Sequence, residues 1–150
     1  MGITGARGGM TPEQKEQFKQ ILIDKKVTVL HHGDCLGADA DAHDIAEELG
    51  IHIVVHPPAI NSLRAFKTGD EFREAKGYLE RDRDIVNESD ELTGTPALDY
   101  ETERSGTWYT LRHGLKTNKP TDAIKPDGTL FTEDVLREIT GKTPWGKKKS

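Results

Sequence analysis

The stretch that decides the fold is Val27-Thr28-Val29-Leu30-His31-His32-Gly33-Asp34-Cys35-Leu36-Gly37-Ala38-Asp39, followed after Gly50 by Ile51-His52-Ile53-Val54-Val55. Val27 to Leu30 is a continuous β-branched and aliphatic run, too short for a helix and typical of a strand covered on both faces. His31 to Gly37 reads as a turn. Beyond it Ala38, Ala42, Ile45 and Leu49 recur at helical spacing, and Gly50 ends that helix. Ile51 to Val55 repeats the buried-strand pattern until Pro57 and Pro58 stop it. Strand, helix and strand at such short intervals pair most economically in parallel, through a right-handed crossover.

The same unit extends in both directions. Upstream, Met1 to Thr4 forms a short strand that runs into the turn Gly5-Ala6-Arg7-Gly8-Gly9. Thr11 then caps a helix: Pro12 suits the first helical position and Gln14 completes a capping box, with Phe18, Ile21 and Leu22 on the apolar face. Downstream the pattern loosens from Ala59 to Gly77, a connection long enough to suggest function or mobility. Tyr78, Leu79, Ile85 and Val86 mark a further helix before a weak strand at Glu91 to Thr95. A helix following Ser105 and Gly106 carries Trp108, Leu111 and Leu115 on one face. A last strand near Thr121 to Ile124 turns at Pro126-Asp127-Gly128 into Thr129 to Phe131. The expectation is a three-layer α/β/α domain over residues 1–140, with a mainly parallel sheet of about five strands and a C-terminal hairpin. Residues 141–150, with Lys147, Lys148 and Lys149, read as a basic flexible tail.

Composition narrows the function classes. The 150 residues are 33% hydrophobic and 31% charged, with fifteen glycines, and carry a formal charge of -5. That balance speaks against non-specific nucleic-acid binding. No apolar run approaches the ~20 residues of a membrane span and no secretory signal is evident, so a cytoplasmic protein is expected. The single cysteine, Cys35, excludes an intramolecular disulfide framework. No metal or other cofactor is expected, because His31 and His32, as strand neighbours, would point to opposite faces.

Open α/β sheets bind ligands at the carboxyl ends of their strands, and three glycine-bearing turns fall there. Thr4, Gly5 and Arg7 offer a hydroxyl, backbone N–H groups and a guanidinium suited to an anion, without the GxGxxG spacing of a dinucleotide fingerprint. The turn Gly33-Asp34-Cys35-Leu36-Gly37-Ala38-Asp39 lacks the Lys-Ser/Thr ending of a P-loop. Asp34, Asp39, Asp41 and Asp44 crowd its helix and compete with phosphate, so Asp34 and Asp39 are assigned to ligand hydroxyls or a base, or simply to capping. Arg104-Ser105-Gly106-Thr107 is the best anion turn: a cation, two hydroxyls and a glycine at a helix N-terminus, with four basic residues and no acid from Arg104 to Lys119. Arg81 and Arg83 lie on the helix entering the fourth strand, beside Asp82 and Asp84, either as site residues or as a solvated charged face.

At these turns the chain resembles the SLOG superfamily, the Rossmann-like group that includes the lonely-guy phosphoribohydrolases, the DNA-processing Smf proteins and nucleotide sensors of bacterial defence systems. The resemblance runs from Met1 to about Leu130, on Thr4-Gly5-Ala6-Arg7, His32 to Asp39, Arg81 to Val86, and Arg104-Ser105-Gly106-Thr107. It implies a Rossmann-like fold and a nucleotide or nucleotide-derived, ADP-ribose-like ligand across the strand ends, its phosphate at Gly106-Thr107. The lonely-guy motif ends in a glutamate that assists cleavage of the N-glycosidic bond; Thr110 stands at that position here. Binding, for sensing or sequestration, is therefore the first expectation. A phosphoribohydrolase acting on nucleoside 5'-monophosphates is the alternative, with Asp34, Asp39 and Arg81 as catalytic candidates and Glu103 as another source of a carboxylate. A homo-oligomer built on the helix after Gly37 or after Gly106 is compatible with either.

Overall fold

A computed structural model describes residues 1–142. Among them, β1 (Gly2–Gly5), β2 (Val29–His32), β3 (His52–Val55), β4 (Glu71–Phe72), β5 (Leu92–Thr95), β6 (Thr121–Ile124) and β7 (Leu130–Phe131) form one sheet in the order β4-β3-β2-β1-β5-β6-β7. Every pairing is parallel except β6 with β7, the C-terminal hairpin. Five helices cover the sheet: α1 (Pro12–Asp24), α2 (Ala38–Glu48), α3 (Tyr78–Glu88), α4 (Gly106–Lys116) and α5 (Glu133–Gly141). The architecture is the expected Rossmann-like α/β/α arrangement.

Two apolar clusters hold the layers together. One joins Phe18, Ile21 and Leu22 of α1 with Ala38, Ala42 and Ala46 of α2 over Ile3, Leu30, Ile53 and Val55. The other joins Val86 of α3, Trp108, Leu111 and Leu115 of α4 and Leu136 of α5 over Leu92 and Ala123. Small alanines at every fourth position of α2 let that helix lie close on the sheet, opposite the bulkier Leu and Trp face of α4. Gln14, 1% exposed, bridges this architecture by donating to the carbonyls of Pro96 and Ile124 at 2.9 Å each. Its own backbone N–H donates to Thr11 Oγ1, and its Oε1 accepts from the Thr11 N–H, so the capping box forms as the sequence indicates.

The boundaries shift where side chains compete with the β pattern. The expected strand at Val27 to Leu30 lies two residues later, at Val29–His32. Val27 is drawn into the exit from α1, its N–H bonding to Leu22 O at 3.0 Å after Lys26 adopts a positive φ of 51°. His31 and His32 join the strand because each buried ring finds a partner. The sheet has one short strand the sequence did not indicate, β4 at one edge; the expected hairpin strand, β7, forms the other edge. The helix α5 escapes the periodicity reading because its buried residues are few, Leu136 and Thr140, although Thr132 caps it with Glu133 and Asp134 in the first turn. It runs through Gly141, so the expected tail begins inside this helix; residues 143–150 lie outside the described residues.

Candidate functional site: a cavity where the strand order reverses

From β1 the chain moves to β2, β3 and β4 on one side, then returns to place β5 on the other. Crossovers leave β1 in opposite directions here, and the diverging loops open a crevice at the carboxyl ends of β1 and β5. A cavity of about 530 Å³ occupies that crevice. Thr4 and Gly5 form its floor, Pro96 to Leu98 one wall, the start of α3 another, and Arg104 to Thr107 the rim at α4. Its volume falls within the range of small-molecule sites. Gly5 is required by packing: a Cβ there would run into Thr95 Oγ1 and the Ala38 side chain.

At the rim, Ser105 is the N-cap of α4 and its Oγ accepts the Trp108 N–H at 3.2 Å. The cap leaves the hydroxyl hydrogen of Ser105 and the first N–H groups of α4, at Gly106 and Thr107, without a carbonyl of their own helix. Donors and the positive helix end thus converge on one side of the cavity. Arg104 supplies the nearby cation from a left-handed backbone, φ 59°. Of the other bases of this segment, Lys116 lies at the far end of α4 and two are engaged elsewhere. Arg112 pairs with Glu101 at 2.8 Å and Lys119 donates to Ser89 O at 2.7 Å, so the positive run read from sequence contributes one guanidinium to the turn. Thr110 turns inward and donates to Gly106 O at 2.7 Å, an ordinary helical back-bond. Glu103 is exposed and does not line the cavity.

The opposite side is a buried charged floor. Arg81, 4% exposed, bonds Asp82 Oδ1 through Nε at 2.7 Å, the carbonyls of Gly33 and His56 through one terminal nitrogen, and Cys35 Sγ at 3.5 Å through the other. Asp39 lies beneath it, accepting the N–H groups of Gly33 and Cys35 at 3.2 Å each. Burial raises the Asp39 carboxyl from 3.8 to about 6, against the pull of Arg81 and the two N–H donors. Burial likewise raises Asp82 and the Cys35 thiol, and in each case Arg81 opposes the shift. A nucleophilic thiolate is therefore disfavoured. Above the floor, the guanidinium carbons of Arg7 and Arg81 stand 5.9 and 5.4 Å from the centre of the Tyr78 ring.

The structure thus brings Thr4, Gly5, Arg7, Asp39, Arg81, Arg104, Ser105, Gly106 and Thr107 to one cavity, and leaves Gly33, Asp34 and Gly37 off its surface. Asp34 is fully buried and pins the long loop instead: Arg64 Nε pairs with its Oδ2 at 2.6 Å and the Lys67 N–H donates to Oδ1 at 2.9 Å. Each of its oxygens thus already has a protein donor. Gly33 makes room for the Arg81 guanidinium, and Gly37, at φ 89°, for the Arg7 carbonyl. Tyr78, Asp82, Cys35 and Thr102 line the cavity although sequence reasoning did not put them there. Asp82 carried a signal, its place beside Arg81, but a charge run on a helix reads equally as a solvated face.

The two histidines of β2 do point to opposite faces. His32 accepts the Asp34 N–H at Nδ1, which leaves its Nε2–H to donate to His43 Nδ1 at 3.0 Å. Burial first, and the neighbouring imidazoles second, lower His32 to about 3. His31 meets His56 on the other face, at 2.9 Å.

No helix among the described residues is long and apolar enough to cross a membrane. No protein-family model matches the chain, and no curated protein matches it in sequence. Among solved structures, the molybdenum cofactor binding protein from the phototrophic bacterium Rippkaea orientalis superposes with a TM-score of 0.64 at 17% identity, over 93% of each chain. At that identity the likeness is one of fold.

Proposed function

We propose that the chain binds a phosphate-bearing small molecule, in the first instance a nucleotide or an ADP-ribose-like derivative, and acts as a SLOG-type sensor or sequestering protein in the cytoplasm. One observation carries this reading: the donor-rich start of α4 faces the cavity at the strand-order reversal, with Arg104 beside it. Arg7 and Tyr78 on the far side would meet the remainder of the ligand, the ring by stacking and the guanidinium by charge. The buried Arg81–Asp82 pair keeps the floor nearly neutral between them. Calorimetry against AMP, ADP-ribose and NAD tests the reading, and no binding of any of them would sink it. The Rippkaea orientalis protein binds the molybdenum cofactor, which belongs in the same titration as the competing ligand class.

A second reading, hydrolysis of a nucleoside 5'-monophosphate, draws support from Asp39. A carboxyl raised to about 6 inside the cavity keeps its proton below pH 6 and about a tenth of it at pH 7, far more than an ordinary carboxyl, and so can serve as a general acid for a departing base. Incubation with AMP and chromatography for free adenine separates the readings: release that disappears in Asp39→Asn favours the enzyme, and no release favours binding alone.

A further inference from the structure

Behind the proposed ligand cavity, on the α3 face of the sheet, three ligating side chains from different elements converge. His31 projects from β2, His56 follows β3 directly, and Glu88 ends α3. One ligating atom from each lies within 4.8 Å of the others. His31 Nδ1 and His56 Nε2 are 2.9 Å apart, and His56 Nδ1 is 3.7 Å from Glu88 Oε2. His31 and His56 are 7% and 1% exposed, so the rings are fixed by packing, whereas Glu88 retains access to water.

We propose that His31, His56 and Glu88 form a binding site for one divalent first-row transition ion of the zinc class. Two imidazoles and a carboxylate are the donor set that such ions favour, and hard ions such as magnesium do not. A tetrahedral ion with Zn–N bonds of 2.0–2.1 Å separates two ligating nitrogens by about 3.3 Å, a few tenths more than the present contact. An ion taken at His31 Nδ1 and His56 Nε2 would replace the hydrogen bond between the rings, and Glu88, whose Oε2 now faces the other nitrogen of His56, would turn its carboxylate to complete the set.

The surroundings supply orientation, charge and access. Arg73 Nε holds Glu88 Oε1 at 2.8 Å, which leaves Oε2 turned toward His56. The positive charge of Arg73 is shared with Glu71, and Asp84 adds negative potential at His56. An open cavity of about 330 Å³ reaches His31 and Glu88 from the surface, giving the ion a path and a place for a water as fourth ligand. The site is also joined to the other cavity, because Arg81 donates to the carbonyl of His56 at 3.3 Å.

The test is calorimetric titration of the full chain with Zn²⁺, repeated with Co²⁺ while its visible d–d absorption is followed. The expected result is one ion per chain, with the absorption of a tetrahedral N/O site for Co²⁺. Glu88→Gln, at a partly exposed position, and His56→Gln, with circular dichroism as the check on folding, should each weaken binding at least about tenfold, since even outer-shell partners of a metal are worth that much. His52→Gln should change nothing, although His52 lies 2.6 Å from Glu71 at the exposed sheet edge. Absence of binding, or binding that depends on His52 and persists in Glu88→Gln, overturns the proposal.

Discussion

Replacing Asp39 by Asn should make the protein more stable at neutral pH, and the size of the gain should follow pH. A carboxyl held at about 6 in the folded chain against 3.8 in the open chain is more readily protonated when folded. Its stability contribution is therefore full below pH 3.8, declines as pH rises from there through 6, and levels off above 6, where both states become ionised. Above that point the buried charge costs about 3 kcal/mol, at 1.36 kcal/mol for each pKa unit. Both N–H donors to Asp39 reach the same oxygen, Oδ2, so an Asn oxygen can accept both. Urea unfolding of the two proteins at a series of pH values isolates the effect, because the buried histidines titrate identically in both. The difference should be near zero below pH 3.5 and reach about 3 kcal/mol by pH 7, a midpoint shift of roughly 1.5 M for an m-value of about 2 kcal/mol/M. A difference that is constant with pH, or one that favours the carboxylate at neutral pH, refutes the account of the cavity floor.

Other expectations follow from particular contacts. Gly5→Ala should lose about 1–3 kcal/mol in thermal or urea unfolding, because its methyl would meet Thr95 Oγ1 and Ala38 in a packed layer. Gln14→Leu should lose about 2–4 kcal/mol by stranding the buried carbonyls of Pro96 and Ile124; a neutral change would show that water replaces the amide. Arg104→Ala should weaken nucleotide binding by about 1–3 kcal/mol with little change in stability, since the side chain is exposed at the rim. Unchanged affinity would remove Arg104 from the site.

Much of the fold was legible because it rests on short-range signals. The aliphatic runs of β2 and β3, the Thr11 capping box and the turn before β7 are local, and the parallel order follows from strand–helix alternation. The polar strands β5 and β6 were locatable by their flanking turns; within them Thr93 donates to Asp122 at 2.7 Å and Thr121 to Lys119 O at 2.8 Å, while Thr95 Oγ1 is buried without a partner among the described residues. What was not legible depends on distant partners. Nothing local to Asp34 announces Arg64, thirty residues on, and nothing in the Arg104 to Lys119 run tells that Arg112 is held by Glu101. The same holds for His31, whose neighbours His56 and Glu88 come from the end of the β3 segment and from α3 rather than from the adjacent His32. Sequence patterns place residues at the right ends of the right strands; which face or partner each side chain takes is decided by tertiary packing.

The central claim is that the start of α4 is the anion-binding end of the cavity, and Gly106→Asp tests it most directly. A Cβ at Gly106 meets nothing closer than Asp82 Oδ2 at 3.9 Å, and an acid in the first turn favours the helix, so the variant should fold. It would place a carboxylate where the ligand's phosphate is expected. In calorimetric titrations with AMP and ADP-ribose, the account predicts single-site binding of at least one of them to the parent chain. In the folded variant it predicts loss of that binding by about tenfold or more, as expected when one charged hydrogen-bonding site is turned repulsive. Binding that is absent from the parent chain, or equal in both proteins, would contradict it.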